Sequence, residues 1–228
     1  LTQNKMTVQK YCVDHKIIEQ ADITNPLHKK LLFMSVLCND AAINNGQELG
    51  DPTEVALIQF AKKNNLDDID FNGEELVSTI KNLMLGSLVS IESIERMINL
   101  IIKLDGKYMM ITKGAVDVLL NKIVSIEKEK GVTIFTEQDK QKIAQINQNF
   151  SENGLRVLAF AYKELKELAL EAEDNYTFLG LIAMIDPPRE ESKLAVKECI
   201  QAGIRPVMIT GDHKITASAI AKQIGILT

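Results

Sequence analysis

Apolar and polar positions alternate along this chain in ways that separate helices from strands. Leu31-Leu-Phe-Met-Ser-Val-Leu-Cys38 is apolar nearly all round, so the helix predicted from Leu27 to about Asn39, behind Pro26 in its first turn, is buried on several sides. A polar, Asn- and Gly-containing loop from Asn44 leads to Asp51-Pro-Thr-Glu54. There Asp51 caps a helix running to about Lys63, Pro52 takes its first position, and Glu54, three residues after the cap, suits a capping box. Met97 to Leu104 and Lys107 to Thr112 are β-rich runs around Asp105-Gly106, the pattern of a tight hairpin. A helix follows from Ala115, then a charged, irregular strip from Glu127 to Gly131. Thr136 then caps a helix whose Ile143, Ile146 and Phe150 share a face and which ends at Gly154.

Leu155 to Tyr162 reads as a strand and Phe178 to Ile185 as a near-continuous apolar one. The tail predicts a helix from Glu190 to Ala202, a strand from Arg205 to Ile209 and a helix from Ile215 to Ile224, a β-α-β-α order that implies a parallel unit. The expected fold is therefore an α+β domain with an antiparallel sheet flanked by helices over residues 5–185. A partial Rossmann-like α/β unit is expected over 186–228, with residues 1–4 as a stub belonging to it.

Composition narrows the function. The 228 residues carry a net charge of −5 and no clustered Lys or Arg, which argues against nucleic acid or an anionic membrane surface as partner. No apolar run approaches the ~20 residues of a membrane span, so no membrane insertion by this segment is expected. Cys12, Cys38 and Cys199 are widely spaced and predict reduced core thiols. His15, His28 and His213 share no helical face or metal spacing and read as surface or turn residues, so no metal site is assigned.

Neither G-x-x-x-x-G-K-[ST] nor G-x-G-x-x-G occurs, so nucleotide handling would have to use other groups. Lys113 ends a hairpin strand beside Gly114, where a small residue lets a ligand approach the backbone and an ammonium can meet a purine or phosphate. Arg156 opens a strand after the Gly154 cap, where a guanidinium could grip phosphate. Asp186, Arg189, Thr210 and Asp212 fall at strand ends, where free backbone N–H groups gather around a phosphoryl group; helix capping and turn formation are the plainer reading of Asp186 and Asp212.

Together Leu1-Thr-Gln-Asn-Lys-Met-Thr-Val8, Gly50-Asp-Pro-Thr-Glu-Val-Ala-Leu57, Thr112-Lys-Gly-Ala115, Gly154-Leu-Arg156, Asp186-Pro-Pro-Arg189 and Thr210-Gly-Asp212 resemble, in order, the cytoplasmic part of P-type cation-transporting ATPases of the calcium-pump type. The resemblance implies a nucleotide-binding domain inserted into a phosphorylation domain. In it Glu54, beside Thr53, faces the adenine, Lys113, Gly114 and Arg156 hold Mg2+-ATP, and Thr210 and Asp212 organise the phosphoryl site. Asp186 and Arg189 lie at the domain junction. It further implies a position on the cytoplasmic face of a membrane, with the phosphorylation, actuator and transmembrane domains of the same pump as partners. The phosphorylated aspartate is expected before Leu1, so this segment alone should not turn over.

The sequence departs from the family where a Pro-Phe turn and a basic pair usually precede the hairpin. Here Ser90-Ile-Glu-Ser-Ile-Glu-Arg-Met97 puts Ile91 at the stacking position and Glu95-Arg96 at the basic pair. Stacking on a base contributes about 1–3 kcal/mol, so the change weakens binding by roughly tenfold. That leaves open a non-catalytic regulatory or interaction module with lost nucleotide binding. A soluble phosphohydrolase of the haloacid-dehalogenase type fits the tail alone.

Overall fold

The computed structural model describes residues 2–3, 5–39, 41–44, 47–64, 97–104, 107–166, 174–210 and 214–227. Its centre is a sheet in the order β2-β1-β10-β9-β6-β5, built from β1 (Thr7–Val13), β2 (Lys16–Ile18), β5 (Met97–Leu104), β6 (Lys107–Gly114), β9 (Arg156–Leu165) and β10 (Tyr176–Ile185). Along this path every pair is antiparallel. Among the described residues one parallel pair joins the start of β10 to β7 (Ile123–Lys128), which turns back into β8 (Gly131–Ile134). A separate small hairpin is formed by β3 (Ala42–Asn44) and β4 (Gln47–Leu49).

Helices cover both faces, which is why the strands are apolar on both sides. On one face α1 (Pro26–Leu37) and α2 (Pro52–Lys63) bring Leu31, Leu32, Met34 and Leu57 against Tyr11, Ile111, Phe160, Ile182 and Met184. On the other, α3 (Val116–Leu120) and α4 (Glu137–Glu152) bring Leu119, Ile143 and Phe150 against Cys12, Met110, Ala161, Phe178, Leu181 and Ala183. Two-residue periodicity assigns the sides, and in β10 it is reset at a bulge between Phe178 and Gly180, so that Phe178 and Leu181 share a face despite odd spacing. Gly180 is there for space: a Cβ on it would lie 2.5 Å from the carbonyl oxygen of Cys12 and 2.9 Å from Leu31.

The predicted antiparallel sheet flanked by helices is therefore present, as are the hairpin pairing of β5 with β6, Pro26 in the first turn of α1, the Asp51 cap of α2 and the Thr136 cap. The turn residues Asp105 and Gly106 lie outside the described residues. Thr136 and Asp139 form a full capping box, and Asp139 also accepts from Lys128 at 2.9 Å and pairs with His15 at 2.7 Å. Burial alone would raise the pKa of Asp139. The hydrogen bonds from Thr136, Lys128 and His15 outweigh it and hold the group well below the usual carboxylate range.

Four expectations are corrected. Residues 127–131 are no irregular strip but the ends and turn of the β7–β8 hairpin. It escaped notice because β8 is exposed on both sides and carries no alternation. The strands β1, β2, β3 and β4 were not foreseen, although Tyr11-Cys-Val13 before a turn with positive φ at Asp14 and His15 is a hairpin signal. His28 is neither a surface nor a turn residue: it is 5% exposed in α1, its Nδ1 lies 2.9 Å from the Tyr11 hydroxyl, and burial lowers its pKa.

Finally, the strand read from 178 to 185 belongs to the antiparallel sheet, and residues 205–209 form no ladder with it. Val207 and Ile209 are 74% and 92% exposed there, because an apolar segment becomes a strand only beside a hydrogen-bonding neighbour. The helices of the tail do form, as α5 (Glu190–Gln201) and α6 (Lys214–Gln223).

Two outcomes are expected. Gly180→Ala drives a methyl into a backbone carbonyl and lowers unfolding free energy by about 3 kcal/mol or more, read from urea denaturation. Because the folded pKa of Asp139 is depressed, its contribution is complete above about pH 4 and lost as pH falls from there. Asp139→Asn therefore flattens the loss of stability between about pH 4 and about pH 2, measured by denaturation midpoints.

Candidate nucleotide site

The elements converge at one end of the sheet. Gly114, at the end of β6, pairs with Met97 at the start of β5 and with Ala159 near the start of β9, while Arg156 opens β9 opposite Met184. The first turn of α2 lies over this end. Asp51 caps it by accepting the Thr53 N–H at 2.8 Å, and Pro52 occupies the first helical position.

Two pairs of side chains lie there. Lys113, on the α1/α2 face of β6 with Met109 and Ile111, donates from Nζ to Oε1 of Glu54 at 2.5 Å. The lysine is 2% exposed and the glutamate 8%, so this is a buried ion pair between a strand end and a helix start. Arg156 is exposed and donates from Nη1 to the Thr53 hydroxyl at 3.0 Å. Its charge also acts on Asp51. Burial pushes that carboxyl up, but the Thr53 hydroxyl and N–H, the Arg156 charge and the Glu54 N–H together hold it below its ordinary value.

Of the residues read from sequence, the structure thus gathers Thr53, Glu54, Lys113, Gly114 and Arg156. The Glu54 side chain is turned to Lys113, and the cap described at the start of α2 is Asp51 with the Thr53 N–H rather than the expected capping box. Asp186 and Arg189 act together elsewhere: Asp186 Oδ1 accepts from the Lys5 N–H at 3.1 Å and Arg189 Nε donates to the Thr2 carbonyl at 2.7 Å. They tie the first residues of the chain to the exit of β10. Thr210 is exposed and lines a separate cavity of about 600 Å3 with Arg205, Met208 and Ala217. Ile91, Arg96 and Asp212 lie outside the described residues. Sequence reasoning missed Asn39, whose Nδ2 donates to the Glu54 carbonyl at 2.8 Å and whose Oδ1 accepts from Ala41 N–H at 2.8 Å; no spacing rule marks an amide just beyond a helix end as a brace for another helix.

Such a site combines one buried and one exposed cation with a buried carboxylate, a set suited to an anionic ligand that also carries hydrogen-bond donors. Among the described residues no group of three His, Cys, Asp or Glu side chains converges as a metal site, and no helix is long and apolar enough to cross a membrane.

The family profile of the P-type ATPase cytoplasmic domain N matches residues 28–191, and the chain belongs to that family. It is 41% identical over 99% of its length to calcium-transporting ATPase 1 of Bacillus cereus. Across its whole length it is 40% identical to calcium-transporting ATPase 1 of Lactococcus lactis and 38% identical to a calcium-transporting ATPase of Listeria monocytogenes. It covers 25%, 26% and 26% of those three proteins, respectively, so it spans about a quarter of the length of the relatives it matches.

Removing one partner of a buried pair strands the other charge. Lys113→Met is expected to cost about 3–5 kcal/mol in urea denaturation, and the double change with Glu54→Gln to cost clearly less than the sum of the singles.

Proposed function

We infer that this chain is the ATP-binding cytoplasmic part of a cation-transporting P-type ATPase, which couples ATP hydrolysis to ion movement through an aspartyl-phosphate formed outside residues 1–228. The observation that supports it best is the cluster of Glu54, Lys113 and Arg156 at one end of the sheet, on the motifs that carry the family resemblance. Lys113 and Arg156 supply positive charge to the phosphates or purine, Thr53 orients Arg156, and the Glu54 carboxylate is an acceptor for an exocyclic amine. Mg2+ in this reading arrives with the nucleotide, whose polyphosphate supplies hard oxygen ligands. Bound ATP supplies the phosphoryl group; this chain's residues hold it and shield it from water.

Residues 1–4 and 186–228 belong in this reading to the Rossmann-like phosphorylation domain and 5–185 to the nucleotide-binding domain, with Asp186 and Arg189 at the junction and Thr210 and Asp212 at the phosphoryl site. The rest of the pump, including its membrane helices, is the partner. The transported ion follows the named relatives, which makes calcium the first to test. None of the 228 residues forms the family's Asp-Lys-Thr-Gly-Thr loop, so the isolated chain binds without turnover.

A second reading, an interaction module of the same fold that no longer binds nucleotide, is favoured by Ile91 and Glu95 where the family places an aromatic ring and a basic residue. Calorimetric titration with Mg2+-ATP separates the two. The pump reading expects saturable binding, weakened about tenfold to a hundredfold in Arg156→Ala, whose exposed side chain can be removed without unfolding, and strengthened up to about tenfold in Ile91→Phe. A folded chain that binds no ATP at millimolar concentration makes the module reading correct.

A further inference from the structure

Asn39 follows Cys38, which caps the end of α1, and its carboxamide joins that end to two other segments of the chain. Its Nδ2 donates to the Glu54 carbonyl at 2.8 Å and its Oδ1 accepts from the Ala41 N–H at 2.8 Å. A carbonyl only accepts and a backbone N–H only donates, so both bonds agree on one orientation of the amide and a flipped amide satisfies neither. The segments are also closely packed: a Cβ on Gly50, just before Asp51, would lie 2.8 Å from the Ala41 Cα. Side chains thus tie the first turn of α2 at two points. Asp51 takes the N–H of Thr53, the residue that bonds Arg156, while Asn39 takes the carbonyl of Glu54. The body of α2 does not depend on the second tie, because Val55, Ala56 and Leu57 are buried.

We propose that Asn39 is a positioning residue of the nucleotide site, which by fixing the backbone of Glu54 sets the preference for a base that carries an exocyclic amine. The proposal rests on the nucleotide-binding reading, in which the Glu54 carboxylate accepts from that amine. Asn39 acts through Glu54 and touches no ligand itself. A hydrogen bond weakens steeply with misalignment, so a small rotation of the first turn is felt at the base. The grip on the phosphates is felt less, since Arg156 is aimed by Thr53 and that residue has its own tie to Asp51. Loss of Asn39 therefore costs affinity for a ligand with the amine and spares one without it. Asn39→Asp keeps the size and the acceptor for the Ala41 N–H but sets an oxygen against the Glu54 carbonyl. Asn39→Ala removes both bonds and adds no charge.

The test is calorimetric titration of the chain and both variants with Mg2+-ATP and with Mg2+-purine riboside triphosphate, which has the same phosphates and no exocyclic amine. The wild-type chain is expected to prefer ATP by about threefold to tenfold, and the preference is expected to fall below about twofold in both variants. Variants that weaken both ligands by the same factor, or neither, show that Asn39 serves the fold alone and overturn the proposal, with the nucleotide reading standing. Equal binding of the two ligands by the wild type also overturns it, because no amine is then being read. If the wild type binds neither, the nucleotide reading fails and the positioning role falls with it. A measurement on the wild-type chain keeps the proposal exposed should the variants not fold: the Asn39 side-chain amide protons are expected to exchange slowly with solvent in NMR spectra. Fast exchange there means that the bond to Glu54 is not held, and overturns the proposal.

Discussion

Strand β10 is buried from both faces and hydrogen-bonded on both edges, and the rest of the fold is arranged around that constraint. Its residues from Phe178 to Met184 are at most 2% exposed wherever they carry a side chain. One edge takes β9, while the other is shared between β7 at its start and β1 at its end. A seven-residue run of this kind has no solvent face, so helices must cover both sides, and α1 with α2 and α3 with α4 do so. The approach of α1 and β1 to this strand is close enough that only glycine fits at position 180. Burial is thus responsible for the layers, and the layers bring the first turn of α2 over the end of β6.

At that end the same burial creates the chemistry. Lys113 continues the side-chain alternation of Met109 and Ile111 and so is carried to the helix-covered face, where an ammonium cannot remain without a counter-charge. Glu54 provides it from the first turn of α2, where a carboxylate also suits the helix dipole. The ion pair is a consequence of the sheet register and of the capped start of the helix. Arg156, one strand over, stays exposed and is aimed by Thr53. Buried charge, exposed charge and a braced backbone are thus brought together at one end of the sheet.

Much of this was legible in the sequence because it rests on local rules. Asp51-Pro52, Thr136 and the paired strands around Asp105-Gly106 are signals of caps and hairpins, and they locate α2, α4, β5 and β6. The apolar run of β10 was equally visible, but its partners were not, since burial on both faces is common to parallel sheets and to antiparallel sheets with two helical layers. The β7–β8 hairpin was obscured by exposed residues such as Ile134, at 80%. For the site, motif order pointed to Glu54, Lys113 and Arg156. Their mutual bonding and the role of Asn39 are long-range facts, set by contacts spanning 59 residues for Glu54 with Lys113 and 103 for Thr53 with Arg156.

The central claim is that the start of α2, the end of β6 and the start of β9 form one ligand site. Hydrogen–deuterium exchange of the chain with and without Mg2+-ATP tests it most directly. The account predicts added protection confined to residues 52–57, 111–115 and 154–158, with β1 and the 200–227 segment unchanged. Protection of 200–227 alone, or no change anywhere at saturating nucleotide, would contradict it.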